Sequence, residues 1–81
     1  MKRVRVQPNP ASDFLQIENR LFSDLSFKIL DAAGSLKMAN GTVLGNSVAR
    51  LDIEFLPAGL YLLIGCDVGG KPLYFKKFVK Q

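Results

Sequence analysis

Leu56-Pro57-Ala58-Gly59-Leu60-Tyr61-Leu62-Leu63-Ile64 is the longest apolar run in the chain. It opens on a Pro-Ala-Gly turn and stops shortly before Asp67. An apolar run of this length between turn signals reads as a strand buried on both faces. A buried helix is the competing reading, and the β-rich composition around the run argues against it. The stretch therefore predicts the central strand of a small sandwich, Leu60 to Cys66, with every other segment packed around it. Tyr61 stands at the start of this penultimate strand, just past a corner. A tyrosine there turns its hydroxyl back to the corner backbone and locks it. Gly59 supplies the backbone geometry of that corner.

The segments on either side read as further strands. Val68-Gly69-Gly70-Lys71 is a two-residue hairpin signal, and Leu73 to Lys80 is the last strand. Its alternation slips between Phe75 and Phe78, which predicts a bulge at Lys76-Lys77. Val48 to Ile53 precedes the corner as the fifth strand, with Ala49, Leu51 and Ile53 on one face. Thr42 to Asn46 reads as loop. Asn40-Gly41 is a tight-turn signal, and that turn accounts for the glycosylation sequon Asn40-Gly41-Thr42. Ser35 to Asn40 is the fourth strand, with Leu36 and Met38 inward. Asp31-Ala32-Ala33-Gly34 fits a type I turn followed by a left-handed glycine. Leu25 to Asp31 is the third strand, with Leu25, Phe27 and Ile29 on its inner face. Phe14 to Glu18 is the second and Val4-Arg5-Val6 the first. Pro8-Asn9-Pro10 between them forms a stiff segment that cannot donate a full set of ladder hydrogen bonds, and it blunts an edge. No stretch reads as a helix of three turns. Seven short strands with regular turn signals give an all-β, seven-stranded immunoglobulin-like antiparallel sandwich.

Composition narrows the function classes. The chain has 81 residues, which makes one domain, residues 1–81, with a thin core. Histidine is absent, which removes the commonest general base and metal ligand. Cys66 is the single cysteine, so no internal disulfide forms, and its place in an apolar strand predicts a buried free thiol. The acids fall in turns or at outward strand positions without a motif to pair them. No catalytic, metal or cofactor residues are therefore assigned. No apolar run approaches the length of a membrane span. Met1-Lys2-Arg3 has no apolar segment behind it, so an exported protein would contain this chain as a fragment of a longer precursor.

The net charge of +4 sits at the two ends. Lys2, Arg3 and Arg5 open the chain, and Lys71, Lys76, Lys77 and Lys80 close it; the remainder carries a net acidic balance. Lysines on a last strand solvate an edge and discourage pairing with other chains. Arg3 and Arg5 are expected to join Lys76, Lys77 and Lys80 in one basic patch, on the premise that first and last strands lie near each other. Aromatics interleave with these lysines, but strand alternation buries about half of them and no recognition helix is present, which argues against nucleic acid.

Four motifs stand in an order that carries a family likeness. They are Pro8-Asn9-Pro10-Ala11-Ser12-Asp13, Phe27-Lys28-Ile29-Leu30-Asp31-Ala32-Ala33-Gly34, Leu56-Pro57-Ala58-Gly59-Leu60-Tyr61-Leu62-Leu63, and Lys76-Lys77-Phe78-Val79-Lys80. Together they resemble the type A C-terminal sorting domain of type IX secretion cargo in Bacteroidetes, over nearly the whole chain. Ser35 departs from the lysine that often follows the turn glycine, and Gln81 extends past the final lysine. The resemblance implies a non-catalytic secretion signal that sends an N-terminal cargo domain in cis to the cell surface or medium, through the periplasm and outer membrane. It implies as partners the outer-membrane secretion machinery, with its shuttle protein, and a sortase that cuts upstream and attaches cargo to anionic lipopolysaccharide. Pro8, Asn9, Pro10, Lys76, Lys77 and Lys80 are the expected recognition residues, and Asp31, Gly34, Gly59 and Tyr61 the expected structural ones. The residues also fit an immunoglobulin-like accessory module that binds glycan or protein on an extracellular enzyme or adhesin.

Overall fold

The computed structural model describes residues 3–39 and 41–81. The expectations at Met1, Lys2 and Asn40 lie outside them. Eight strands form: β1 (Val4–Gln7), β2 (Phe14–Asn19), β3 (Leu25–Asp31), β4 (Leu36–Met38), β5 (Thr42–Val43), β6 (Ser47–Asp52), β7 (Gly59–Cys66) and β8 (Pro72–Lys80). All strand pairs are antiparallel and fall into two sheets. The smaller has the order β1-β2-β6; the larger has β4-β3-β7-β8, with β5 also paired to β3. The fold is thus an all-β sandwich, with one more strand than the sequence predicts.

The additional strand is β5, in the stretch read as loop. β4 and β5 share one edge of β3: Ile29 and Leu30 pair with β4, while Leu25 and Ser26 pair with β5. Two residues are too few to show an alternating pattern. Val43 is nevertheless buried in the core, and pairing with Leu25 holds it there.

Period-2 alternation builds the core. Val4 and Val6 of β1, Leu15 and Ile17 of β2, and Leu51 of β6 face inward from the small sheet. Leu25, Phe27 and Ile29 of β3, Tyr61 and Leu63 of β7, and Tyr74 and Phe78 of β8 meet them from the large sheet. Leu56 and Ile53 close the corner between β6 and β7. As expected, β7 is central, between β3 and β8. Its burial on both faces holds only from Leu63 to Cys66; Leu60 is exposed and Leu62 half-buried. The reason is architectural: among the described residues no third layer covers the outer face of the large sheet.

Two hairpins use one turn. Gly34 N–H donates to Asp31 O, and Gly70 N–H donates to Asp67 O. Each aspartate also accepts two amides on Oδ1: Ala33 and Ser35 at Asp31, Gly69 and Lys71 at Asp67. Gly34 and Gly70 take φ of 87° and 88°, the left-handed region that glycine enters without a Cβ penalty. The Asp31 turn is therefore the one its sequence predicts. The second loop is not the two-residue loop expected from Val68-Gly69-Gly70-Lys71, because Asp67 anchors it as the same longer turn. A bulge follows each turn, at Lys37 in β4 and at Leu73 in β8, where the pairing skips one residue. The first bulge sends Leu36 and Met38 to opposite faces. Met38 packs on the core while Leu36 is exposed, so the expectation that both point inward fails for Leu36.

No bulge lies at Lys76-Lys77. Pairing runs without a break from Gly59↔Lys80 to Gly65↔Tyr74. Tyr74, Lys76, Phe78 and Lys80 share the inner face, and Phe75, Lys77 and Val79 the outer one. The apparent slip arose because lysine at an inward position reads as outward. Its aliphatic stem lies along apolar surface while the ammonium reaches the rim.

Candidate functional site

The corner begins with Pro57 and ends in Tyr61. Tyr61 Oη donates to Pro57 O at 2.5 Å, the lock that its position predicts. Its ring stacks on Phe78 of β8, centroids 5.6 Å apart. Tyr61 thereby holds the corner by its hydrogen bond and joins it to the last strand by the aromatic pair. Gly59 has φ 157°, and a Cβ there would sit 3.9 Å from the Tyr61 ring, an ordinary contact. Space at the corner therefore does not demand glycine; the positive φ does, which is the backbone role its position predicts. Tyr61→Phe should cost about 1 kcal/mol through the lost hydroxyl bond and lower the melting temperature by roughly 4–8 °C. Thermal unfolding followed by circular dichroism measures it, and an unchanged midpoint would show that the hydroxyl does not hold the corner.

Pro8-Asn9-Pro10 meets the other end of the chain. The Gln7–Pro8 and Asn9–Pro10 bonds are cis. Asn9 Oδ1 accepts the Val79 amide at 3.0 Å, and Asn9 Nδ2 donates to Lys77 O at 3.4 Å. Ala11 N–H donates to Val79 O at 2.8 Å, and Gln81 N–H donates to Ala11 O at 2.7 Å. Ala11 is fully buried and bridges Lys80 in parallel. The segment thus covers the free edge of β8 along residues 77–81. It satisfies backbone groups that an edge strand would otherwise present to other chains. Two motifs at opposite ends of the sequence form one structural unit.

The terminal charges do not gather as expected. Lys77 is on the outer face of β8. Lys76 is on the inner face, and Lys80, also inward, is 8% exposed with Nζ donating to Gln81 O. Arg3 donates to Arg20 O and lies over the Phe22 ring, at the β2–β3 connection. Arg5 is opposite Glu18 on the outer face of the small sheet. The predicted five-residue basic patch is therefore divided among separate surfaces. The premise failed because the segment after β1, and not β1 itself, reaches β8.

Asp31 and Gly34 serve the first hairpin. The Ser35 amide, outweighing the opposing effect of burial and helped by Ala33 N–H and Lys37, holds the Asp31 carboxyl below its ordinary value. A depressed carboxyl stabilises the fold fully above the ordinary range of about 4 and loses that contribution as pH falls through its own lower value. Asp31→Asn should therefore flatten the acid side of a stability-versus-pH curve measured by denaturant unfolding. A curve as steep as that of the parent below about pH 4 would contradict this assignment. Burial pushes the Tyr74 hydroxyl up.

Sequence reasoning missed three residues. Asn19 is fully buried at the inward end of β2. Its Nδ2 lies within 3.1–3.2 Å of the Ser23, Val43 and Leu44 carbonyls, and its Oδ1 accepts the Leu21 amide. Gly45 lies so close to Phe22 O that an added Cβ would sit 2.3 Å from it. At Gly65 a Cβ would meet the Phe27 ring at 2.9 Å. For Gly65, an isolated glycine in a strand is the available signal for such a close approach; Gly45 lies between β5 and β6 and offers no such signal.

Cys66 is a buried free thiol. Among the described residues no group of three or more His, Cys, Asp or Glu is placed to hold a metal ion.

The fold is shared with a domain of known structure. The chain superposes with a TM-score of 0.64 and 20% identity on part of PorZ, an essential bacterial surface component of the type IX secretion system of Porphyromonas gingivalis. The match covers 99% of this chain and 12% of that one, and at this identity it speaks for the fold. No curated protein matches the chain. The family model described as secretion system C-terminal sorting domain matches residues 5–81. That span includes the edge clamp, both Asp-x-x-Gly hairpins, the tyrosine corner and the basic last strand, and the chain belongs to the family of type IX secretion C-terminal sorting domains, which direct proteins through the outer membrane to the cell surface or medium.

Proposed function

We propose that this domain works as a non-catalytic tag, read in its folded form by the outer-membrane machinery while attached in cis to a larger cargo. Residues 1–81 act as one unit in this reading, and a sortase releases or anchors the cargo after cleavage upstream of the tag. The observation that carries it is the clamp of Asn9 and Ala11 on β8. The clamp joins the Pro-Asn-Pro motif and the lysine-bearing last strand into one rigid end, with Lys77 exposed beside it. A recognised signal needs such a preorganised surface, because ordering it on contact would weaken binding.

The test fuses the chain behind a fluorescent reporter with a periplasmic export signal, in a bacterium that runs this secretion pathway. The parent fusion should reach the medium or surface with the tag removed, as read by mass. Asn9→Ala and the triple reversal Lys76→Glu, Lys77→Glu and Lys80→Glu should hold the reporter in the periplasm while circular dichroism shows a folded tail. Unchanged export of both folded variants would show that recognition lies elsewhere.

A further inference from the structure

A sandwich requires apolar side chains only on the two faces that meet. The small sheet nearly obeys this rule. Its outward positions carry Arg5, Gln7, Gln16, Glu18, Arg50 and Asp52; of its outward apolar residues, Phe14 lies under the Arg50 guanidinium and Val48 is exposed. The large sheet does not. Register aligns its outward residues in rows: Lys28–Ile64–Phe75, then Leu36–Leu30–Leu62–Lys77, then Leu60–Val79. Leu36, Leu60, Phe75 and Val79 are 56%, 50%, 57% and 44% exposed. Between Leu30, Leu60 and Leu62 runs a groove of ≈ 320 Å³ that Ala32, Tyr61 and Lys77 complete. Scattered exposed apolar residues need no explanation, but a contiguous face with a groove marks an interaction site.

The charges on this face indicate what covers it. In these rows the only ionised side chains are Lys28 and Lys77, on opposite sides of the apolar strip. Asp31 borders the groove, but its oxygens are engaged by the Ala33 and Ser35 amides and by Lys37. A second copy would set lysine against lysine with no carboxylate to answer, a like-charge arrangement that costs affinity. Two lysines also fall short of the roughly four to eight basic residues that hold a segment on an anionic lipid surface.

We propose that the outer face of the β4-β3-β7-β8 sheet docks a protein of the secretion machinery, with one apolar side chain of that partner in the Leu30–Leu60–Leu62 groove and its carboxylates opposite Lys28 and Lys77. This rests on the family's role as a sorting signal. It adds a surface that adjoins the Asn9 clamp through Lys77 and Val79 and extends from there across β7, β3 and β4, and it explains why the large sheet is apolar on both faces. Truncating a central anchor of such a contact typically costs more than any rim charge.

The experiment uses the same reporter fusion with Leu60→Ser/Phe75→Ser, Lys28→Glu, and the small-sheet control Arg5→Ser/Arg50→Ser. The parent must first be exported; if it is not, the sorting role itself fails in this chain and the docking proposal falls with it. Given export of the parent, Leu60→Ser/Phe75→Ser should reduce the secreted fraction about tenfold and Lys28→Glu by a smaller factor. The control should be secreted normally, and all variants should melt within a few degrees of the parent. Normal secretion of folded Leu60→Ser/Phe75→Ser would overturn the proposal. So would a dimer of the isolated domain in sedimentation that this substitution abolishes, because the face would then belong to a second copy. Should Leu60→Ser/Phe75→Ser fail to fold, Lys28→Glu decides alone: its position is solvent-exposed, and parental secretion with it would count against the proposal.

Discussion

Phe78→Ala should destabilise the domain by about 3–5 kcal/mol. Phe75→Ala, three positions earlier on the same strand, should change stability by no more than about 0.5 kcal/mol. Phe78 is 1% exposed and among the largest fully buried side chains. Its loss removes the ring that stacks on Tyr61 and opens a cavity in the core under β8. Surrounding strands held by regular pairing on both sides relax little into such a space. A chain of this size has a total stability of roughly 4–12 kcal/mol, so the substitution consumes a large part of it. The melting temperature should fall by about 15 °C or more. Phe75 pairs with Ile64 on the outer face, where no layer covers it. Chemical denaturation of both variants measures the contrast. A bulge at Lys76-Lys77 would bring both rings to the same face and predict similar losses, so near-equal values would refute the regular register of β8.

The contrast between these phenylalanines also shows what local pattern can and cannot convey. Alternation sufficed for the inner faces of β2, β3 and β6, where Leu15, Ile17, Leu25, Phe27, Ile29 and Leu51 are buried at every second position. It failed in β8 because Lys76 and Lys80 occupy inward positions and carry their charge out along flexible stems. Asp31 to Gly34 was legible because turn chemistry is local. The equivalent Asp67 to Gly70 turn differs from its reading because Gly69-Gly70 alone satisfies the two-residue hairpin signal, whereas the aspartate that anchors the loop precedes it. Tyr61 was legible because its partner, Pro57 O, is four residues away. Asn9 was recognised as part of a motif, but its target, the Val79 amide, lies 70 residues along the chain. No window of sequence contains both. The expected basic patch accordingly does not assemble: Lys76, Lys77 and Lys80 belong to two faces, and Arg3 and Arg5 lie elsewhere.

Asn19→Leu should cost about 3 kcal/mol or more although the two side chains branch alike and the replacement is more apolar. The usual expectation for a fully buried position is that an added apolar group helps. Here the amide answers four backbone groups. Nδ2 faces the carbonyls of Ser23, Val43 and Leu44, and Oδ1 accepts the Leu21 amide. Leucine leaves these without a partner in a region where water does not reach the side chain. Each unsatisfied buried group costs about 1–3 kcal/mol, and relaxation toward solvent lowers the sum. The larger consequence is topological. Asn19 sits at the end of β2 in the small sheet, and Val43 belongs to β5 in the large one. The side chain therefore ties the sheets together at the end where Gly45 N–H donates to Asp24 and Asn46 N–H donates to Leu21 O. Loss of this tie should release β5 before the rest of the fold. Hydrogen exchange should then show Val43 and its neighbours unprotected in Asn19→Leu while β7 amides remain protected. Asn19→Asp isolates the cause. It keeps the acceptor for Leu21 N–H, but its ionised form places a carboxylate against three carbonyl oxygens. It should be at least as damaging near neutral pH and recover in part in mild acid, where the protonated group donates once. If Asn19→Leu proved as stable as the parent, packing alone would hold β5 and the hydrogen bonds of Asn19 would be incidental to the fold.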